Sequence, residues 1–129
     1  MRIPITKEQD VVRAVLEGTR RATELGLDLV TRQRVSTAIS ELARNIIKYA
    51  EGKGAVIIRT VSEGGRTGLE VVAADRGPGI ENVEEALKDH FSSSGTLGLG
   101  LPGVQRLMDE FTIQSEPGVG TTVTARIWV

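Results

Sequence analysis

Glu41, Arg44, Asn45 and Lys48 are related by steps of three and four residues, so on a helix they share an arc of roughly 100°. A carboxylate and an amide oxygen one turn apart can orient a reactive hydroxyl and hold a hydrated Mg²⁺. The same spacing is that of any solvated polar face. Asn45 argues for more, because it is a mediocre helix former placed beside the apolar edge of Ala38 and Leu42. A second group, Asp75-Arg76-Gly77-Pro78-Gly79-Ile80, directly follows an apolar stretch. It spells a plain turn, yet a carboxylate at a strand end can also accept a hydrogen bond from an exocyclic amine. Gly77 and Gly79 would let the backbone approach a flat ring. A third, Gly98-Leu99-Gly100-Leu101-Pro102-Gly103, matches G-x-G-x-x-G, but Ser92 to Thr96 before it is no strand and no βαβ unit surrounds it. What survives is a glycine loop feeding a helix N-terminus, which offers N–H groups to phosphates.

Other chemistry is sparse. Lys53 in Gly52-Lys53-Gly54 is not followed by Ser or Thr, so there is no Walker A loop. His90 is the sole histidine and reads as a capping or packing residue; with no cysteine in the chain, no metal cluster is in prospect. The polar run from Phe91 to Gly100 reads as a lid, with Ser92 to Ser94 its flexible part.

The elements that must position these groups follow from periodicity. Arg2 to Thr6 alternates as an edge strand would, with Pro4 in it. Apolar residues recur at helical spacing from Glu8 to Leu25, with Gly26 as the stop, and again from about Thr31 to Ala50. Residues 55–61 and 68–74 read as a hairpin around Glu63-Gly64-Gly65-Arg66. A weak helix is expected over Val83 to Asp89 and a firmer one over Leu101 to Glu110, with Met108 and Phe111 in the core. Strands at 111–115 and 121–129 close the chain. The order predicts an α+β fold: a two-layer sandwich with a mixed, mostly antiparallel sheet and helices on one face.

Composition bounds the rest. The chain has 129 residues, enough for one domain spanning 1–129. A net charge of −1 excludes binding to nucleic acid or anionic lipid by bulk electrostatics, and 3% aromatic residues weaken a base-stacking platform. No run approaches the ~20 apolar residues of a membrane span, Met1 to Asp10 does not read as a signal peptide, and the absence of cysteine suits the cytoplasm. Of 15 glycines, 13 lie after residue 51, where loops rather than helices are expected.

The motifs occur in one order: Glu41-x-x-x-Asn45-x-x-Lys48-Tyr49, Asp75-x-Gly77-x-Gly79, Gly98-x-Gly100-Leu101, and Gly118-x-Gly120-Thr121. That order resembles the N box and glycine boxes of the GHKL superfamily of gyrases, ATP-driven chaperones, histidine kinases and anti-sigma-factor kinases. Residues 39–46 and 101–111 look like the serine/threonine switch kinases of the bacterial stressosome, in the last of these branches. The resemblance implies that Asp75 accepts from the adenine amino group, with Thr121 assisting through a water, and that Asn45 coordinates Mg²⁺ bridging the ATP phosphates. It implies Glu41 as the base or orienting group, Arg44 and Lys48 as charges offsetting the phosphates, and Gly98, Gly100 and Leu101 as backbone contacts. In a chain of this size, without room for a transducer or a phosphoacceptor helix pair, it implies a stand-alone kinase. Its acceptors would be STAS-domain proteins, and after release it would activate a PP2C-type phosphatase. An anti-sigma factor of the same fold, and an interaction module without catalysis, stay open as alternatives.

Overall fold

The computed structural model describes residues 1–87 and 100–129. Its elements run β1 (Arg2–Ile5), α1 (Glu8–Glu24), α2 (Leu29–Ala50), β2 (Gly54–Glu63), β3 (Arg66–Asp75), α3 (Val83–Ala86), α4 (Gly100–Leu107), β4 (Glu110–Glu116) and β5 (Gly120–Trp128). The five strands form one sheet in the order β1-β2-β3-β5-β4. All four pairings are antiparallel, so the sheet is more uniform than the expected mixed one. Pro4 does lie on an edge strand.

One face of the sheet is apolar: Ile3, Ile5, Val56, Ile58, Leu69, Val71, Ala73, Val123, Ala125 and Ile127 are buried there. Against it packs α2, whose Val35, Ala38, Ile39, Leu42, Ile46 and Ala50 are buried at helical spacing. This helix touches α1 and α4 as well as β1, β2, β3 and β5, so it is the central beam of the helical layer. It starts two residues before the sequence reading placed it, because the Asp28 carboxylate caps it by accepting from the Thr31 N–H at 2.8 Å. It stops at Glu51, a left-handed residue at φ 52°. Asp10 is a second carboxylate with a structural task that periodicity did not reveal. Its Oδ2 accepts from the Thr6 N–H, the Thr6 hydroxyl and the Lys7 N–H, at 2.9, 3.0 and 3.1 Å, and so locks β1 to the start of α1.

One boundary moved for a physical reason. The last helix ends at Leu107 rather than Glu110, because Asp109 is drawn into the sheet: its N–H donates to the Arg126 carbonyl and its carboxylate accepts from the Trp128 N–H. The expected helix after Val83 is seen as α3, while Lys88 and Asp89 lie outside the described residues, as do His90, the 91–97 lid and Gly98.

The face away from the helices carries a row of alternating charge. Arg59, Glu70, Arg126 and Glu110 stand in register across β2, β3, β5 and β4. Glu70 is only 1% exposed. Its two oxygens accept from Arg59 Nε and, at 2.7 Å, from Arg126 Nε. Burial alone pushes the Glu70 carboxyl up, but the bonds from Arg126 and Arg59 outweigh it and hold the carboxyl below its ordinary range. A depressed carboxylate stabilises the fold above its unfolded-state pKa and loses that contribution as acid protonates it. Glu70→Gln should therefore lower unfolding free energy at pH 7 by about 2 kcal/mol, less than for a fully buried pair because both arginines reach solvent. Urea titrations should show the gap between variant and parent closing as the pH falls below about 4.5.

Candidate active site

The corner after β3 is built by three chain segments that meet without spare room. Asp75 ends β3, and its Oδ1 accepts from the Gly77 N–H at 2.9 Å and from the Thr121 N–H at 3.2 Å. The first bond closes a tight local turn; the second ties the loop to the start of β5. Both fall on one oxygen, and Oδ2 takes neither bond. Close packing explains the glycines. A Cβ on Gly77 would sit 2.8 Å from Ala50 Cβ at the end of α2, and one on Gly79 would run into the Glu116 carbonyl. One on Gly120 would strike the Asp75 carbonyl. On the side where a Cβ would stand, Gly77 and Gly79 thus meet protein. Their service to the site is to press the Asp75 loop against α2 and the β4–β5 turn.

Ser115 holds the same corner and was not foreseen. Its Oγ accepts from the Ile80 N–H at 2.6 Å and donates to the Gly120 carbonyl at 3.2 Å. With its proton so placed, it accepts from the Thr121 hydroxyl at 2.9 Å. The available signal was positional: Ser115 shares the inward parity of Phe111 and Ile113, where a hydroxyl needs partners. Thr121 is therefore part of the corner, joined to Asp75 by its backbone and to Ser115 by its side chain.

The α2 residues approach this corner along the helix. The point where a Gly54 Cβ would stand is 2.9 Å from Ile46 Cγ2 and 3.0 Å from Asp75 Cβ, so Asp75 abuts the turn of α2 that carries Asn45. Asn45 is half-buried and makes no hydrogen bond with the described residues. Glu41, one turn earlier, is also half-buried and without a polar partner among them, and it faces the groove between α2 and α1. Arg44 pairs with α1: its Nε lies 3.2 Å from Glu8 Oε1. Lys48 is exposed, its ammonium 5.1 Å from the centre of the Tyr49 ring. Gly100 opens α4, which rests on α2, and the Leu101 side chain packs on the core, so only its backbone is available to a ligand. Gly98 lies outside the described residues.

The model of a histidine kinase-like ATPase domain matches residues 5–127. The chain is 49% identical over 127 residues to the serine/threonine-protein kinase RsbT of Bacillus subtilis (strain 168), spanning 98% of this chain and 95% of that one. It is 36% identical over 107 residues to an anti-sigma F factor of Clostridium acetobutylicum, spanning 79% of this chain and 73% of that protein. Among solved structures, the RsbU and RsbW domains of a Mycobacterium tuberculosis protein align with a TM-score of 0.66 at 18% identity, over 98% of this chain and 31% of that one. The catalytic domain of histidine kinase ThkA aligns at 0.59 and 16% identity, over 99% and 96%. These two share the fold.

Replacing the corner's hydroxyl hub should loosen it measurably. Ser115→Ala leaves the Ile80 N–H without its acceptor and should cost about 1–2 kcal/mol in chemical unfolding. Amide exchange at Ile80 and Thr121 should quicken while that of the β2–β3 hairpin keeps pace only with global stability.

Proposed function

The chain belongs to the histidine kinase-like ATPase family and is a serine/threonine-protein kinase of the kind its identity to RsbT indicates; we propose that it phosphorylates STAS-domain scaffold proteins and, once released from them, activates a PP2C-type phosphatase in a bacterial partner switch. The observation that carries the nucleotide half of this reading is the Asp75 corner: one carboxylate oxygen fixed by two N–H groups, the other open, against the helix that bears Asn45 and Glu41. Oδ2 of Asp75 accepts from the adenine amino group, and Thr121 assists through a water. Gly77 and Gly79 hold the loop in place; Gly98, Gly100 and Leu101 present backbone to the phosphates, where the positive end of α4 favours negative charge.

Phosphoryl transfer asks mainly for positioning and charge neutralisation. The acceptor hydroxyl oxygen bonds to the γ-phosphorus, the bond to the bridging oxygen breaks, and ADP departs with that electron pair. Glu41 receives the hydroxyl proton, or orients it, from a carboxylate that the described residues leave unpartnered. Lys48, and Arg44 when it leaves Glu8, offset phosphate charge. Mg²⁺ fits the donor set: Asn45 offers an unengaged amide oxygen, and the described residues contain no cluster of three His, Cys, Asp or Glu, so phosphate oxygens and water would complete its shell. When bound, the ion neutralises charge on the phosphates. No described helix is long and apolar enough to cross a membrane, which accords with a cytoplasmic kinase.

A second reading has its own support, since several relatives at 31–37% identity are anti-sigma F factors. Capture of a sigma factor in place of a STAS protein and a phosphatase would favour it.

Asp75→Asn should weaken Mg·ATP binding at least about tenfold in calorimetry, because an amide cannot keep both backbone bonds and still accept from the adenine amine in the same way. Glu41→Gln should bind Mg·ATP within about twofold of the parent yet transfer phosphate to a STAS protein about 10²-fold more slowly. Unimpaired transfer would remove Glu41 from the reaction.

A further inference from the structure

The groove between α1 and α2 is lined by Val11, Val12, Val15 and Leu16 on one side and by Ser36, Thr37, Ser40, Glu41 and Arg44 on the other. The Glu8–Arg44 ion pair bounds it at one end, and a 2.8 Å hydrogen bond between the Thr19 and Ser36 hydroxyls bounds it at the other. Val12 and Leu16 are 56% and 65% exposed beside it, a large apolar exposure for two successive turns of one helix face. We propose that this groove is the docking cleft for the phosphoacceptor segment, and that it takes an apolar side chain about two residues from the Ser or Thr that receives the phosphate. The inference rests on the reading of Glu41 given above.

Three observations select this occupant. Glu41 is part of the cleft wall and lacks a polar partner among the described residues, so a hydroxyl brought to it must come from a molecule lying over the cleft. From Glu41 to Thr37 is one helical turn, about 6 Å, which an extended chain covers in about two residues. That spacing puts an acceptor hydroxyl at Glu41 and an aliphatic side chain against Val15 and Leu16. Finally, the cleft runs from Arg44 to Ser36, about 12 Å, room for about four extended residues, whereas a stable dimer takes roughly 800 Å² from each partner. A second copy seated here would also cover Glu41 and shut the acceptor out.

The test uses the full chain, Mg·ATP and a purified STAS-domain protein. Leu16→Ser should raise KM for that acceptor about tenfold with kcat and ATP affinity within about twofold, while Val30→Ser, at an equally exposed apolar position outside the cleft, should change neither. An unchanged KM in Leu16→Ser overturns the proposal. So does sedimentation in which the parent is a dimer and Leu16→Ser a monomer, since the cleft would then be an interface between copies. If the parent binds ATP but transfers no phosphate, the reading of Glu41 fails on its own. A photo-cross-linker at position 16 then decides the cleft: capture of the STAS protein sustains it, and capture equal to that from position 30 overturns it.

Discussion

The site depends on a single carboxylate oxygen that receives two backbone N–H groups. Asp75 Oδ1 joins the turn at Gly77 to the start of β5 at Thr121, which lies 46 positions from Asp75 in sequence. This bond is possible only because Gly77, Gly79 and Gly120 let three segments close to distances that a Cβ would forbid. The order of cause runs from backbone packing to chemistry. Tight contact fixes the loop, the fixed loop orients the carboxylate, and an oriented carboxylate with one open oxygen can discriminate a donor from an acceptor on a ligand.

α2 supplies the other half of the arrangement by serving two neighbourhoods at once. Its apolar stripe, from Val35 to Ala50, anchors the whole sandwich, so its polar edge inherits the rigidity of the core. Along that edge Asn45 is half-buried, on the turn whose Ile46 packs beside Gly54 and Asp75, while Glu41 lines the groove shared with α1. Asn45 and Glu41 stand one helical turn apart on that edge.

Local patterns made much of this legible before any coordinates. The 3.6-residue stripes located both long helices, the paired glycines at 64 and 65 located the hairpin, and the order of four short motifs pointed to the family. Ser115, Asp10 and Glu70 were hidden because their meaning lies in bonds to residues distant in sequence or on an unexpected face. Ser115 answers to Ile80, 35 residues away, and Glu70 to Arg59 and Arg126 across neighbouring strands. Gly77 and Gly79 were recognised, but not their packing against Ala50 and Glu116, since sequence shows that a side chain is missing and not what fills its place. The ion pair of Arg44 was not legible, because its partner, Glu8, belongs to another helix.

The short joint between β1 and α1 has a mechanical consequence. Only Thr6 and Lys7 separate the two elements, and both are clamped by Asp10. A clamp of this kind transmits displacement instead of absorbing it, so α1 cannot swing outward from α2 without peeling β1 from β2. The wall carrying Val12 and Leu16 is consequently a stiff mould of set width, and an incoming segment must adapt its own shape to it.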